Sequence, residues 1–488
     1  MAPSLRSLRN HAMFKTKPIG ELLAHCSGEH ALHRVISPFE LVLLGIGAVV
    51  GTGIFVITGI AAAEYSGPAI ILSFVISGIV CMLAALCYAE FSSMVPVAGS
   101  AYTYCYATFG EIWAWIIGWD LILEYAVSLA AVAVGWSAYV TSLLSEIGIF
   151  LPPALANPPG IAGGIINLPA VLVILAITAL LIAGVKESIR LNTIIVIVNI
   201  AVILIFFFLC YSHIDAVNWH PFMPFGWTGV FTGAAIVFFA YIGFDSVMTA
   251  AEEIENPQKN LPIGIIGSVA IVILLYVGVA AVLTGVIPYG ELGTSAPVAD
   301  ALTRIGVHGG ALLVSLGALC GITSVILVTL YGQTRIFFAM ARDGLLPAFF
   351  SDIHRTFHTP AKVTLLVGLS TALVAGLLPL GLIAGLVNIG TLAAFMVVAF
   401  GIILLRRSQP HLERPFRCPA MPYVPLLCIV SCAVLILVLP AVTQARFVIW
   451  MLIGLAIYFF FGIKNSANGK SPAADPGICG AGADSPDR

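Results

Sequence analysis

Twelve apolar runs, each close to or above the length that crosses a bilayer, constrain the fold of this chain more than any other feature. Their approximate limits are 39–63, 68–95, 112–144, 168–185, 191–212, 228–251, 262–288, 308–340, 362–380, 382–405, 423–441 and 446–463. A helix needs about 20 apolar residues to cross the hydrocarbon core, and backbone groups in lipid must pair within their own helix. Charged residues make up only 9% of the 488 residues, against about 25% in soluble domains. The sequence therefore predicts an all-α polytopic membrane protein with twelve transmembrane helices, here called spans 1 to 12.

The basic residues predict how these spans are oriented. If the N-terminus is cytoplasmic, 19 of the 21 lysines and arginines fall in tails and loops on that side, and only Arg304 and Arg446 fall outside. Cytoplasmic loops of membrane proteins carry such an excess. We expect a multi-pass protein of the plasma membrane with a cytoplasmic N-terminal tail (1–38) and a disordered cytoplasmic C-terminal tail (464–488), the latter rich in Gly, Ala, Asp and Pro.

Span 1 contains an unusual run of glycines. Gly45, Gly47, Gly51 and Gly53 lie within nine residues of an otherwise apolar segment. Glycine weakens a helix, and unwound backbone at this depth is tolerated only where it lines a cavity or is buried in protein. The simpler alternative is that the glycines let another helix approach closely.

Span 6 has a second interruption. The segment 237–246 reads VFFAYIGFDS, which places Gly243 and Asp245 together in mid-membrane. A carboxylate at that depth costs on the order of 3 kcal/mol and indicates a function, or else an ion pair or hydrogen bond with a neighbouring helix.

The spacing of the two breaks predicts an inverted repeat. Interrupted spans at corresponding positions of two halves are the best sequence indication of that transporter architecture. We therefore predict a first repeat at 39–212, a second at 228–405, and two further helices at 423–463. The N-terminus of a half-helix favours an anion and its C-terminus a cation, so a zwitterionic amino acid is the natural ligand.

Four motifs carry a family resemblance that extends from about residue 37 to 463. They are GIGAVVGTGIFVITG (45–59), GWDLILEY (118–125), FFAYIGFDSVMTAAEEIENPQKNLPIGI (238–265) and GQTRIFFAMARDGLLP (332–347). The chain resembles the amino acid–polyamine–organocation (APC) superfamily, and within it the cationic amino acid transporters. The resemblance implies a five-plus-five inverted-repeat core with broken helices 1 and 6 and two extra helices.

The resemblance also implies a substrate site made mostly of backbone. The amides of Gly51, Thr52 and Gly53, with the Thr52 hydroxyl, should hold the substrate carboxylate. The carbonyls that should receive the amino group are those of Val49, Phe239, Ala240 and Ile242.

Acidic side chains are candidates for selecting the substrate side chain or for coupling. Glu124 lies deep in span 3, and either Glu124 or Asp245 would favour a cationic side chain if it faced the site. The alternative is that Glu124 holds a neighbouring helix by hydrogen bonds. We interpret Asp120, Glu90 and Glu111 as structural.

Asn199 in span 5 departs from several bacterial relatives. In those relatives a lysine stands at this position and is associated with proton coupling. In more distant relatives a sodium ion occupies the same place. Asparagine forms hydrogen bonds but cannot cycle a proton near neutral pH. The sequence therefore leaves coupling through position 199 open. Glu124 or Asp245 could carry a proton instead, and no sodium site is predicted.

These features favour a secondary active or facilitative transporter of L-amino acids that works by alternating access, for cationic (Lys, Arg, ornithine) or broad-range substrates. The alternative is a proton-coupled permease for neutral or branched-chain amino acids, for which an apolar lining would be suited. The residues proposed for that lining are Ile54, Phe55, Phe239 and Phe244. A sensor that binds without transport is a weaker alternative, because neither tail resembles a signalling domain.

Other classes have little support in the sequence. HExxH, GxSxG, P-loop and CxxC motifs are absent from the chain, so we expect neither an enzyme nor a metal site or other cofactor. The chain also lacks the basic stripe that nucleic acid requires. The expected partners are the substrate and the lipid bilayer, and the sequence leaves a small membrane subunit or a homo-oligomer open.

Overall fold

The computed structural model describes residues 14–17, 36–97, 100–183, 189–294, 296–352 and 360–462. Most of both predicted tails lies outside these residues. Within them the chain is helical, and the β-structure is an isolated bridge between Ile36 and Ile254. Eight helices of the described chain are long and apolar enough to cross a membrane, and four shorter apolar helices accompany them. The predicted all-α polytopic architecture is confirmed.

Spans 1 and 6 are each divided into segments, as predicted. Span 1 consists of Pro38–Val49, Gly53–Ile57, Thr58–Ala61 and Ala62–Ser66, and span 6 of Gly226–Val237, Phe238–Tyr241 and Phe244–Glu253. The remaining spans, in order, are Ile70–Met94, Glu111–Glu146, Leu168–Ile182, Ile189–Cys210, Pro257–Val286, His308–Arg342, Ala361–Leu377, Leu380–Ser408, Tyr423–Val438, and Ala441–Ile457 with Tyr458–Gly462. Short helices in the connections are Gly67–Ala69, Ser100–Thr108, Pro153–Ala156, Tyr211–His213, Ala216–Trp219, Tyr289–Glu291, Pro297–Arg304 and Ala348–Ser351.

Local chemistry explains where span 1 begins. Ser37 accepts a hydrogen bond from the Glu40 amide over 3.4 Å, and the Glu40 carboxylate accepts one from the Ser37 amide over 3.0 Å. This reciprocal capping box satisfies N–H groups that the first turn leaves unpaired. The helix start is therefore encoded locally, before any tertiary contact.

The packing of the spans surrounds the two breaks. Span 2 packs along span 7, and span 3 along span 8. These pairs join spans at corresponding positions of the two predicted repeats, whose bounds stay a prediction. Span 12 lies outside and is held to span 3 by a reciprocal pair, in which the Trp119 indole donates to the Trp450 carbonyl over 2.9 Å and the Trp450 indole to the Trp119 carbonyl over 3.2 Å.

Two polar clusters close the end of the bundle that carries Lys17, Arg406 and Arg414, here called the basic end. Buried Glu90 of span 2 accepts two hydrogen bonds from Arg406, at 2.8 and 2.6 Å, and one from the Cys418 amide at 2.8 Å. The Arg414 Nε lies 3.3 Å from the same carboxylate. This network supports the structural interpretation of Glu90.

The second cluster joins residues 14–17 to helix Ser100–Thr108 and to the end of span 8. Lys17 Nζ lies 2.5 Å from Asp343, and the Tyr102 hydroxyl donates to the same carboxylate over 2.6 Å. Lys17 also lies over the Tyr106 ring, 4.8 Å from its centroid. The helix between spans 2 and 3 is thereby tied to span 8.

Candidate functional site

The break in span 1 is a local change of backbone direction at Val50 and Gly51. Val50 is extended, with φ −77° and ψ 90°, and the chain resumes as the π-helical segment Gly53–Ile57. Within the described residues the amides of Gly51, Thr52 and Gly53 donate no backbone hydrogen bond. These three amides therefore form the open N-terminus of the outer half of span 1.

The break in span 6 depends on a residue without a side chain. Ile242 is extended and Gly243 has φ +118°, a conformation in which glycine is favoured because it has no Cβ. A Cβ on Gly243 would also lie 2.5 Å from the Ala48 carbonyl oxygen. The carbonyl of Ile242 accepts no backbone hydrogen bond within the described residues.

The two broken helices touch at Gly53. A Cβ on this residue would lie 2.3 Å from the Ala240 Cα, closer than real Cβ contacts. Gly53 therefore fits both hypotheses for the glycine run, because it begins the outer half-helix and also allows the two helices to pack closely. On Gly51 a Cβ would meet only the Val325 side chain, at 3.2 Å.

A cavity of about 40 Å³ lies between the two breaks and spans 3 and 8. Of the ten residues predicted for binding the amino acid backbone, for selectivity or for coupling, eight are in its lining: Val49, Gly51, Thr52, Gly53, Glu124, Phe239, Ile242 and Asp245. Ala240 is not in the lining because it packs under Gly53. Asn199 lies behind the span 1 break.

Several of the predicted donors and acceptors already have protein partners. The Thr52 hydroxyl donates to the Val132 carbonyl over 3.2 Å, and the Val49 carbonyl accepts from the Tyr276 hydroxyl over 3.0 Å. The Phe239 carbonyl accepts the Ile242 amide over 3.3 Å. Since a hydroxyl has one proton, Thr52 can only accept from a ligand in this arrangement. Anion binding then falls to the backbone amides.

Two carboxyl groups face the cavity. Glu124 is 3% and Asp245 4% exposed, and neither forms an ion pair with any described residue. Asp245 accepts from the Ser100 hydroxyl over 3.4 Å and from the Tyr125 hydroxyl over 3.5 Å. Both acids are therefore placed to meet a cationic group in the cavity.

Asn199 supports the unwound backbone from behind. Its side-chain amide donates to the Val50 carbonyl over 3.1 Å, while its own Oδ1 has no hydrogen-bond partner in the part of the chain that the structure describes. A Cβ on Gly321 of span 8 would lie 2.2 Å from Asn199 Nδ2. The residue thus fills a tight space between spans 1, 5 and 8.

Sequence reasoning predicted Glu124 but missed the rest of the walls that spans 3 and 8 contribute, as well as three positions in spans 1 and 6. The missed lining residues are Ala48, Tyr125, Ser128, Val132, Gly243, Ser246, Val325, Val328 and Thr329. Of the apolar lining expected for neutral substrates, Phe239 is present. The other three lie elsewhere: Phe244 packs on Tyr88 and Phe395, Phe55 packs on Tyr139, and Ile54 is buried in the core. A polar residue four positions after Glu124 was the one available signal, since Ser128 lies on the same helix face.

The fold and the cavity together define a membrane transporter with two broken helices around a central site. Residues 36–463 match the family model described as amino acid permease, so the chain belongs to the amino acid permease family of the APC superfamily. The recognition of this superfamily from the sequence motifs is confirmed.

Named relatives cover most of the chain. A methylthioribose transporter of Bacillus subtilis is 49% identical over 94% of this chain and 100% of its own length. The branched-chain amino acid permease BcaP of the same organism is 50% identical over 93% of this chain and 98% of its own length. The human cationic amino acid transporter 4 is 38% identical over 78% of this chain and 61% of its own length.

Proposed function

We propose that this permease transports neutral L-amino acids with small or branched apolar side chains across the plasma membrane, by alternating access around the cavity between spans 1, 3, 6 and 8. The observation that carries the proposal is that backbone donors and acceptors without a backbone hydrogen bond among the described residues face one small cavity from two sides. The amides of Gly51, Thr52 and Gly53 lie on one wall and the carbonyl of Ile242 lies on another.

These groups suit the two charges of an amino acid. A carboxylate is stabilised at the N-terminus of a half-helix, where N–H groups and the positive dipole end converge. An ammonium group is a donor only and needs carbonyl or carboxylate oxygens. The Ile242 carbonyl with the Asp245 carboxylate supplies them, so the α-amino and α-carboxyl groups are both satisfied.

The rest of the cavity supports an apolar side chain. Val132, Val325 and Val328 form part of the lining on spans 3 and 8. Apolar walls with a few placed polar groups are typical of small-molecule sites. Two relatives about 50% identical, the methylthioribose transporter and BcaP, are likewise named for uncharged or zwitterionic ligands.

Cationic amino acids are the second candidate. Glu124 faces the cavity without an ion pair among the described residues, and relatives named as cationic amino acid transporters match much of the chain. If cationic amino acids are the substrates, Glu124 pairs with the side-chain charge of lysine, arginine or ornithine.

The proposed orientation places the basic end and both tails in the cytoplasm, in accordance with the positive-inside rule. The two broken helices and their neighbours would rock against the remaining spans around the cavity.

Counterflow in proteoliposomes tests the proposal. Vesicles preloaded with unlabelled leucine should take up external labelled leucine, and external valine or isoleucine should compete with it. Lysine and arginine test the second candidate in the same vesicles. If no L-amino acid supports exchange above protein-free vesicles, the proposal is wrong.

A further inference from the structure

Asn388, in span 10, is a fully buried polar residue that contacts span 6 just before its break. Its side-chain amide donates to the Ala235 carbonyl over 2.7 Å and to the Ile236 carbonyl over 3.1 Å. An asparagine amide has two protons and can serve both acceptors. Both carbonyls lie in the last turn of Gly226–Val237, where a helix loses the partner that each carbonyl normally has one turn later. Asn388 therefore caps the first segment of span 6 from a neighbouring helix.

This contact has a counterpart at the break in span 1, where Asn199 donates to Val50. Asn199 lies 149 residues after its acceptor, and Asn388 lies 152 and 153 residues after its two acceptors. The two asparagines are in spans 5 and 10, the last helices of the two predicted repeats. Both are buried, and neither Oδ1 has a hydrogen-bond partner among the described residues. A buried acceptor without a partner destabilises the fold, so the amide contact with the break accounts for a polar side chain at each position.

Span 10 also holds the break in span 6 on its far side. Phe395 lies seven residues after Asn388, two turns along the same face of the continuous helix Leu380–Ser408. Its ring centroid lies 5.8 Å from that of Phe238 and 5.3 Å from that of Phe244. One face of a single helix therefore contacts residues before, within and after the break.

The backbone between these contacts supplies the part of the cavity that suits a cation. Phe239 and Ile242 are in the cavity lining, whereas Asn388 is outside it. The Ile242 carbonyl accepts no backbone hydrogen bond within the described part of the chain. A displacement of about 1 Å at a binding site can reduce activity on the order of 100-fold. A group that fixes the start of this segment therefore also controls where the Ile242 carbonyl lies.

We propose that Asn388 positions the carbonyl groups of span 6 that bind the substrate ammonium, whereas Asn199 positions the amides of span 1 that bind the substrate carboxylate. The proposal rests on the proposed transport function. In this arrangement the last span of each predicted repeat fixes one half of the zwitterion site. Asn388 is a positioning residue, because it acts through the backbone of span 6.

Competition in the leucine counterflow assay tests the two roles separately. Two analogues each lack one charge of leucine: 2-hydroxy-4-methylpentanoate lacks the ammonium group, and leucinamide lacks the carboxylate. Asn388→Leu keeps the size but removes the donor. We expect it to weaken the preference for leucine over the hydroxy acid by about tenfold, the order of one hydrogen bond to a charged group. Its preference for leucine over leucinamide should stay at the wild-type value.

Two further variants complete the comparison. Asn199→Leu should show the opposite result, with a weaker preference over leucinamide and an unchanged preference over the hydroxy acid. Asn157→Leu is the matched control and should retain both preferences, because its amide also donates to a carbonyl, that of Pro153 over 3.3 Å, but between spans 3 and 4. Equal weakening of both preferences in Asn388→Leu, or no change in either, would overturn the role of Asn388.

Hydrogen–deuterium exchange tests the same contact without transport. Asn388→Leu should exchange faster than wild type at 238–243 and at the wild-type rate at 50–54, and Asn199→Leu should do the reverse. Unchanged exchange at 238–243 in Asn388→Leu would overturn the positioning role. Wild-type vesicles without counterflow would instead contradict the transport function, so the two failures are distinguishable.

Asn388→Ser provides a second variant if Asn388→Leu does not fold. The serine side chain is one bond shorter, and its hydroxyl can donate to the carbonyl one turn earlier in span 10. The Thr391 hydroxyl donates to Val387 in this way over 3.2 Å. Serine therefore removes the contact with span 6 while its own hydroxyl stays paired. We expect faster exchange at 238–243 and the same loss of preference over the hydroxy acid, and wild-type values for both would overturn the proposal.

Discussion

The side-chain amide of Asn199 donates a hydrogen bond to the carbonyl of Val50 over 3.1 Å, so span 5 satisfies a backbone group that the break in span 1 exposes. The carbonyl would otherwise be a buried unpaired acceptor, which costs about 1–3 kcal/mol. Asn199 therefore supports the unwound segment, and its part in coupling stays a prediction.

Asn199→Leu tests this support. Leucine has a similar size but no donor, so we expect the free energy of unfolding to fall by about 1–3 kcal/mol, with weaker leucine exchange. Thermal unfolding in detergent measures the first effect and counterflow the second. The control is Val198→Leu, at the neighbouring position that is 44% exposed on the bundle surface. Equal stability of the two variants would contradict the role of the hydrogen bond.

Gly53→Ala and Gly51→Ala form a matched pair at the span 1 break. An added methyl on Gly53 meets the Ala240 backbone at 2.3 Å, whereas one on Gly51 meets a movable Val325 methyl at 3.2 Å. A displacement of about 1 Å at a binding site can reduce activity on the order of 100-fold. We expect such a loss of uptake for Gly53→Ala and a much smaller loss for Gly51→Ala at equal membrane insertion. The reverse ranking would count against the contact between the two broken helices.

Glu124→Gln tests selectivity in the cavity. The amide keeps the hydrogen-bonding shape but removes the charge, so competition by lysine or arginine should weaken about tenfold, equivalent to 1.4 kcal/mol, while leucine competition changes less. Inhibition constants in the counterflow assay measure both. Glu64→Gln, which alters an exposed residue, is the control. An equal loss for all substrates would remove Glu124 from side-chain selection.

Tyr102→Phe tests the cluster at the basic end. It removes the 2.6 Å hydrogen bond to Asp343 while the adjacent Lys17 ion pair remains. Because that ion pair is partly exposed, we attribute no more than about 1 kcal/mol to it. Loss of the Tyr102 hydroxyl should therefore loosen the attachment of 100–108. We expect faster hydrogen–deuterium exchange in 100–108. Tyr423→Phe, at an exposed residue of span 11, should leave that exchange unchanged, and unchanged exchange in Tyr102→Phe would contradict the predicted effect.

Glu90→Gln tests the other cluster. The carboxylate accepts from both Arg406 and the Cys418 amide, and breaking a buried ion pair costs about 3–5 kcal/mol. We expect the free energy of unfolding to fall by that amount, as measured by thermal unfolding. Glu413→Gln, at an exposed residue of the same loop, should have almost no effect. Comparable stability of the two variants would show that the network contributes little.

Where sequence reasoning succeeded, the determining physics is local. The glycine at position 243 adopts a positive φ, and Val50 leaves the helix, because residues near each break lack the propensity to continue it. The capping box of Ser37 and Glu40, which the sequence analysis did not predict, depends on local residues in the same way. Such features are visible in a short window of sequence.

Where sequence reasoning failed, the outcome depends on how each helix is rotated about its own axis relative to its neighbours. In a soluble protein an apolar stripe marks the core face, but lipid is as apolar as the protein interior. Span 3 therefore gave no indication that Tyr125 and Val132 face the cavity, nor span 8 that Val325 does. Phe244 was assigned to the lining for the same reason, although it packs between Tyr88 and Phe395.

The sequence by itself determined the number of spans, the two breaks and the family, because each depends on unbroken backbone hydrogen bonding in lipid or on short motifs. The tertiary structure alone decided which carboxyl groups face the cavity, and that the Asp120 Oδ1 lies close to Gly390 with no hydrogen-bond partner among the described residues. The reason is that distances between spans depend on side-chain packing over hundreds of residues, which no local pattern records.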